Sequence, residues 1–156
     1  MIMLYYTFSN PDSEAFIKKA LRAYGINYEF NIKRSETGKP YIIEENIFFS
    51  LSHTEGFTVC AVSDKNLGID AEKLRNVKNK EKILSRYTGK EYKKVSDTEF
   101  FEKWTELESR VKYFGEKLTS LKKSLTEEKI VTTFKIDEYI VSVCSDNKED
   151  IKKERL

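Results

Sequence analysis

One helical face limits what this chain can fold into. Over residues 104–118, Trp104, Leu107, Val111, Phe114 and Leu118 recur at the three/four spacing of a helix with one buried side. A stripe of that length needs a partner surface. Strand-like runs flank it: NIFFSLSHTEG, FTVCAVSD and NLGIDAEKL before it, and IVTTFKID and EYIVSVCSD after it, with a turn at Asp137–Glu138. Gly, Asp and Asn separate the runs, as turns require. The pattern predicts a helix with one buried face among short strands.

The rest of the chain extends this α+β reading. MIMLYYTF reads as a first strand, and SNPDSEAFIKKALRAYGI as a helix with Phe16, Ile17, Ala20, Leu21 and Tyr24 on one side and a stop at Gly25. NYEFNIKR alternates like a half-exposed strand, ahead of a Gly-Lys-Pro turn. From Lys73 the chain turns charged and helical, broken near Thr88–Gly89, and NKEDIKKERL is a charged tail, either a short helix or frayed. TVCAVSD (58–64) and VSVCSD (141–146) echo each other. That echo fits two similar α/β halves in a pseudo-twofold arrangement with a cleft between them. The expected division is an N-terminal half over 1–73, a C-terminal half over 74–150 and a charged tail over 151–156.

A chain of 156 residues suffices for one domain, or for two small halves sharing a core. Lys and Arg number 28 against 26 Asp and Glu, so net charge offers no ground for a nucleic-acid or membrane partner. The apolar stretches are far shorter than the ~18 residues a bilayer span needs. The start lacks the basic and long apolar regions of a signal peptide, so a cytoplasmic address is the expectation. Cys60 and Cys144 lie in strand-like runs without CxxC spacing and read as buried, reduced thiols.

The chemistry begins at LGIDAEKL. In an extended chain Asp70 and Glu72 project to one face, roughly 7 Å apart, while Ala71 points the other way. Two such carboxylates repel unless a cation lies between them, so the pair reads either as a solvated strand end or as half of a site for Mg²⁺. On the helix, Glu108 and Lys112 are one turn apart at the edge of the apolar stripe. They are either a surface ion pair or a third carboxylate and a phosphate-facing cation. His53, in SLSHTEG, is either structural or, with Ser52 and Thr54, a donor to an anion. Lys39 in TGKPY is a phosphate contact or a solvated lysine. A metal-dependent nuclease would also use a D-x-E strand and a lysine, but no basic stripe interleaved with aromatics accompanies them here.

In order, GKP (38–40), FSLSHT (49–54), GIDAE (68–72), ILSRYTGKEY (83–92) and WTELESRVKYFGEKL (104–118) resemble the 4′-phosphopantetheinyl transferases. The likeness runs over about residues 25–145. Because SHT precedes GID, the order matches the long, pseudodimeric, surfactin-synthetase-activating type, here shortened. The resemblance implies that phosphopantetheine passes from coenzyme A to a carrier-protein serine, releasing adenosine 3′,5′-bisphosphate. It implies Asp70, Glu72 and Glu108 as ligands of Mg²⁺, Glu108 also as the base, and Lys112 on the pyrophosphate. Lys39, Ser52 and His53 would hold the nucleotide and its phosphates. It also implies an acidic carrier protein, for which Lys73, Arg75, Lys78, Lys80, Lys82 and Arg86, set against Glu81 alone, form the expected docking surface. A solvated charged loop is the other reading of that segment.

Two departures stand out. Leu107 occupies the lysine position of the family's W-x-x-K-E, losing a cation near the expected site while keeping the packing stripe. The N-terminal half is short, with Lys18, Lys19 or Arg22 as substitutes for the family's 3′-phosphate ligands. They motivate an alternative: a catalytically weak or inactive homologue that binds carrier protein or coenzyme A.

Overall fold

The computed structural model describes residues 1–43 and 46–156. In chain order the elements are β1 (Ile2–Thr7), α1 (Ser13–Tyr24), β2 (Lys33–Arg34), β3 (Pro40–Tyr41), β4 (Phe48–Thr54), β5 (Phe57–Ser63), β6 (Leu67–Lys73), α2 (Lys80–Thr88), α3 (Asp97–Phe114), α4 (Lys123–Thr126), β7 (Ile130–Ile136), β8 (Tyr139–Ser145) and β9 (Ile151–Arg155). One sheet has the order β4-β5-β1-β9 and another β6-β8-β7. β2 and β3 form a separate short hairpin. Among the described residues, no helix is long and apolar enough to cross a membrane.

Strand periodicity sorts side chains into layers. From β1 and β5, Leu4, Val59 and Ala61 meet Leu67, Ile69, Ala71, Val141 and Val143 of β6 and β8, so the sheets pack face to face. On the outer face of the first sheet, Tyr5, Cys60 and Val62 pack against Phe16, Ile17, Ala20 and Leu21 of α1. α3 covers the outer face of the second sheet, where α2 joins it through Leu84, Phe100, Phe101 and Ile140. The layers therefore run α1, sheet, sheet, α3. Both cysteines are free and buried on the central strands β5 and β8, and burial pushes both thiols up.

Local signals fix the helix ends. Asp12 caps α1 by accepting from the Ala15 amide at 2.9 Å, and Ser96 caps α3 by accepting from the Glu99 amide at 3.1 Å. Gly25 closes α1 at φ 118°, a left-handed geometry that glycine adopts without a Cβ clash.

β1-α1-β4-β5 and β6-α3-β7-β8 share one connectivity: each first strand pairs antiparallel with the last, which pairs with the middle one. By sheet membership the division falls between β5 and β6. β6 hydrogen-bonds along its whole length to β8. The expected tail at 151–156 is corrected. Residues Ile151–Arg155 form β9, parallel to β1, and the Leu156 amide donates to the Tyr6 carbonyl at 2.9 Å. Its lysines suit an edge strand, blunting it against further pairing. Of NYEFNIKR, only Lys33–Arg34 is strand.

The buried face of α3 holds Leu107 and Val111 of the apolar stripe and adds residues the stripe leaves out. Thr105 and Ser109 are fully buried, whereas Trp104 is half-buried, stacked on Phe100 and edge-on to Tyr87. Thr105 Oγ1 lies 2.8 Å from Ser142 Oγ of β8. Gly68 of β6 explains the need for small residues. A Cβ there would overlap the Ser109 carbonyl oxygen and the Tyr113 amide nitrogen, so the helix backbone rests directly on the strand.

Candidate functional site

That close approach builds the site. Leu67, Ile69 and Ala71 enter the core between the sheets, so Gly68, Asp70 and Glu72 face the other way. α3, seated on Gly68, brings Lys112 onto Asp70, with Nζ 3.1 Å from Oδ1 and 3.2 Å from the Leu51 carbonyl oxygen. β4 lies along the open edge of β6 and joins it through hydroxyls. The Ile69 amide donates to Ser50 Oγ at 3.1 Å and the Ala71 amide to Ser52 Oγ at 3.0 Å, while Ser52 donates to Asp70 Oδ1 at 3.1 Å.

Asp70 is 6% exposed, and burial raises its carboxyl pKa despite the lowering by Lys112 beside it. Its Oδ2 is buried with no hydrogen-bond partner among the described residues. A buried carboxylate oxygen without a donor is costly, so it suits a ligand that brings positive charge. Burial, followed by the nearby Asp70 and Glu72 charges, pushes Glu108 up to about 7, against the lowering by Lys112. The Glu108 carboxyl thus feels the charges of Asp70 and Glu72, and Asp70 feels that of Glu72. Among the described residues no three His, Cys, Asp or Glu side chains converge as a ready-made metal site. Lys112 is paired with Asp70, and Arg75 with Glu72 at 3.0 Å.

A cleft of about 450 Å³ opens over these groups. Asp70, Glu72 and Lys112 line it together with Arg34, Lys39 and His53. Glu108 instead lines a neighbouring hollow with Glu72, Arg75, Lys78 and Trp104, so Glu72 stands between the two spaces. His53 is exposed on β4. Lys39 carries the β2–β3 hairpin onto the β6–α3 junction. Its ammonium donates to Asn66 Oδ1 at 3.0 Å and to the Leu67 and Tyr113 carbonyls at 3.3 Å, and burial lowers its pKa to about 8.

Arg34 is the lining residue that motif reading missed. It sits opposite Pro40 in the β2–β3 pair, and its place on the GKP hairpin was the available signal. Lys18 pairs with Glu14 at 3.0 Å and Arg22 with the Ile26 and Tyr28 carbonyls at 2.9 and 2.8 Å. Leu107, 5% exposed, lines a separate hollow with Tyr92, Arg110 and Leu125. Its side chain therefore belongs to the packing of α3 rather than to the cleft. In the basic segment, Lys73 pairs with Glu55 at 3.3 Å and Lys80 with Asp97 at 3.0 Å.

The chain is similar to a phosphopantetheinyl transferase. It is 32% identical over 95 residues to 4'-phosphopantetheinyl transferase gsp of Aneurinibacillus migulanus, covering 57% of this chain and 40% of that protein. The chain thus spans about two-fifths of the relative's length. No family model matches the chain.

Proposed function

We propose that this protein transfers 4′-phosphopantetheine from coenzyme A to a serine of an acyl or peptidyl carrier protein. One observation carries the reading: Lys112 and a half-satisfied, buried Asp70 carboxylate share a cleft with Arg34, Lys39 and His53. Cations and carboxylates lining one cleft suit a nucleotide pyrophosphate bound with a divalent metal. The similarity to the Aneurinibacillus transferase supports the same chemistry.

Asp70, Glu72 and Glu108 would hold Mg²⁺, which when bound neutralises the pyrophosphate oxygens. This requires Arg75 to release Glu72 and Lys112 to share Asp70. The carrier serine oxygen attacks the β-phosphorus of coenzyme A. A serine O–P bond forms, the bridging P–O bond breaks, and adenosine 3′,5′-bisphosphate leaves. Glu108 accepts the serine proton. Lys112 offsets charge on the leaving phosphate. Arg34, Lys39 and His53 supply positive charge or ring donors around the nucleotide. The two halves are arranged about a pseudo-twofold as in the long type, and the enzyme works in the cytoplasm. Carrier docking falls on the segment holding Lys78, Lys82 and Arg86, beside the hollow lined by Glu108.

The test is the mass of apo carrier proteins after incubation with the protein, coenzyme A and Mg²⁺. A phosphopantetheine adduct is expected on at least one carrier, and Asp70→Ala or Glu108→Ala removes it. Tight carrier or coenzyme A binding with no adduct would favour a non-catalytic binder, a reading motivated by the ion pairs already on Asp70 and Glu72.

A further inference from the structure

We infer that Ser52 is a positioning residue that sets the Asp70 carboxylate to receive a divalent cation. The inference rests on the metal reading above. Ser52 is buried on β4, and its hydroxyl is engaged on both sides. It accepts from the Ala71 amide at 3.0 Å and spends its one proton on Asp70 Oδ1 at 3.1 Å.

Lys112 approaches the same oxygen at 3.1 Å. With both described donors on Oδ1, the carboxylate is fixed in rotation and Oδ2 is left buried and unpartnered. A hydrogen bond from a neighbouring side chain to a ligating carboxylate typically orients it, and its loss costs metal affinity on the order of 10–100-fold. Ser52 thus couples the sheet-to-sheet seam to the carboxylate.

Ser50 provides an internal control. Two residues earlier on the same strand, its hydroxyl accepts from the Ile69 amide at 3.1 Å, a seam bond like that of Ser52. Its hydroxyl is not among the described donors to Asp70, which are Ser52 and Lys112. A purely structural seam makes the two serines equivalent, whereas carboxylate positioning separates them.

The experiment titrates Mn²⁺ into the full chain, without coenzyme A, by calorimetry and electron paramagnetic resonance. Wild type, Ser52→Ala, Ser52→Thr and Ser50→Ala are compared, with circular dichroism confirming each fold. Ser52→Ala is expected to weaken Mn²⁺ binding on the order of 10–100-fold. Ser52→Thr, which keeps the hydroxyl, recovers most of that loss, and Ser50→Ala binds Mn²⁺ like wild type. Equal Mn²⁺ affinity in wild type and Ser52→Ala overturns the inference while leaving the metal reading intact. So does an equal loss in Ser50→Ala or no recovery in a folded threonine variant. Wild type that binds no Mn²⁺ overturns the metal reading and the inference together.

Discussion

α1 and α3 occupy equivalent places in two segments of the same connectivity, yet they meet their sheets differently. α1 lies on Met3 and Tyr5 of β1 through Phe16, Ile17, Ala20 and Leu21, an ordinary aliphatic and aromatic interface. α3 faces Gly68, Asp70 and Glu72 of β6, and its buried line is Thr105, Ser109 and the stem of Lys112. The first interface excludes water and fixes the fold. The second sacrifices apolar contact so that a helix backbone can seat charged groups over a strand. Small residues at a helix–strand contact thus mark where chemistry can be placed.

The sharpest way to break this contrast is Gly68→Ala. The new Cβ overlaps backbone of α3, which cannot rotate away as a side chain would, so a destabilisation on the order of 5 kcal/mol is expected, seen as lost cooperativity in urea unfolding. A wild-type midpoint would refute the close approach. Leu21→Ala in α1 should cost about 3 kcal/mol by leaving a cavity, while transfer per folded molecule holds steady. Transfer lost from fully folded Leu21→Ala protein would show that the halves are not separable in this way. Thr105→Ala removes a buried hydroxyl contact to Ser142 and should cost about 1 kcal/mol in the same assay.

A pH dependence is also expected in metal-free protein. Folding raises the Glu108 carboxyl from its ordinary 4.5 to about 7, so between these values the folded state holds more protons than the unfolded one. Stability therefore falls as pH rises from about 4.5 to about 7, and this contribution is constant outside that window. Glu108→Gln should flatten that part of the profile. An unchanged slope in the variant would place the titration elsewhere.

Much of this was legible in the sequence. Strand alternation put Ala71 into the core and Asp70 outside it, and helical spacing placed Glu108 and Lys112 one turn apart on α3. The stripe through Trp104 misled for a physical reason. Hydrophobicity finds the face that repels water, while α3 meets β8 at Thr105 and β6 at Ser109, small residues that let the backbones approach. Leu107 is legible only in three dimensions, where it faces Tyr92 and Leu125 and not the cleft. β9 was hidden because an edge strand made of IKKER carries the charges that keep it from pairing further.

The most direct test compares wild type with Asp70→Asn, a swap that keeps the carbonyl oxygen for Ser52 and removes the charge. Both proteins are incubated with coenzyme A, Mg²⁺ and apo carrier proteins, and carrier mass is recorded with the fold verified by circular dichroism. A phosphopantetheine adduct with wild type and none with folded Asp70→Asn is the predicted result. Equal adduct from both proteins would contradict the account, because the charge at the centre of the cleft would then have no part in the transfer.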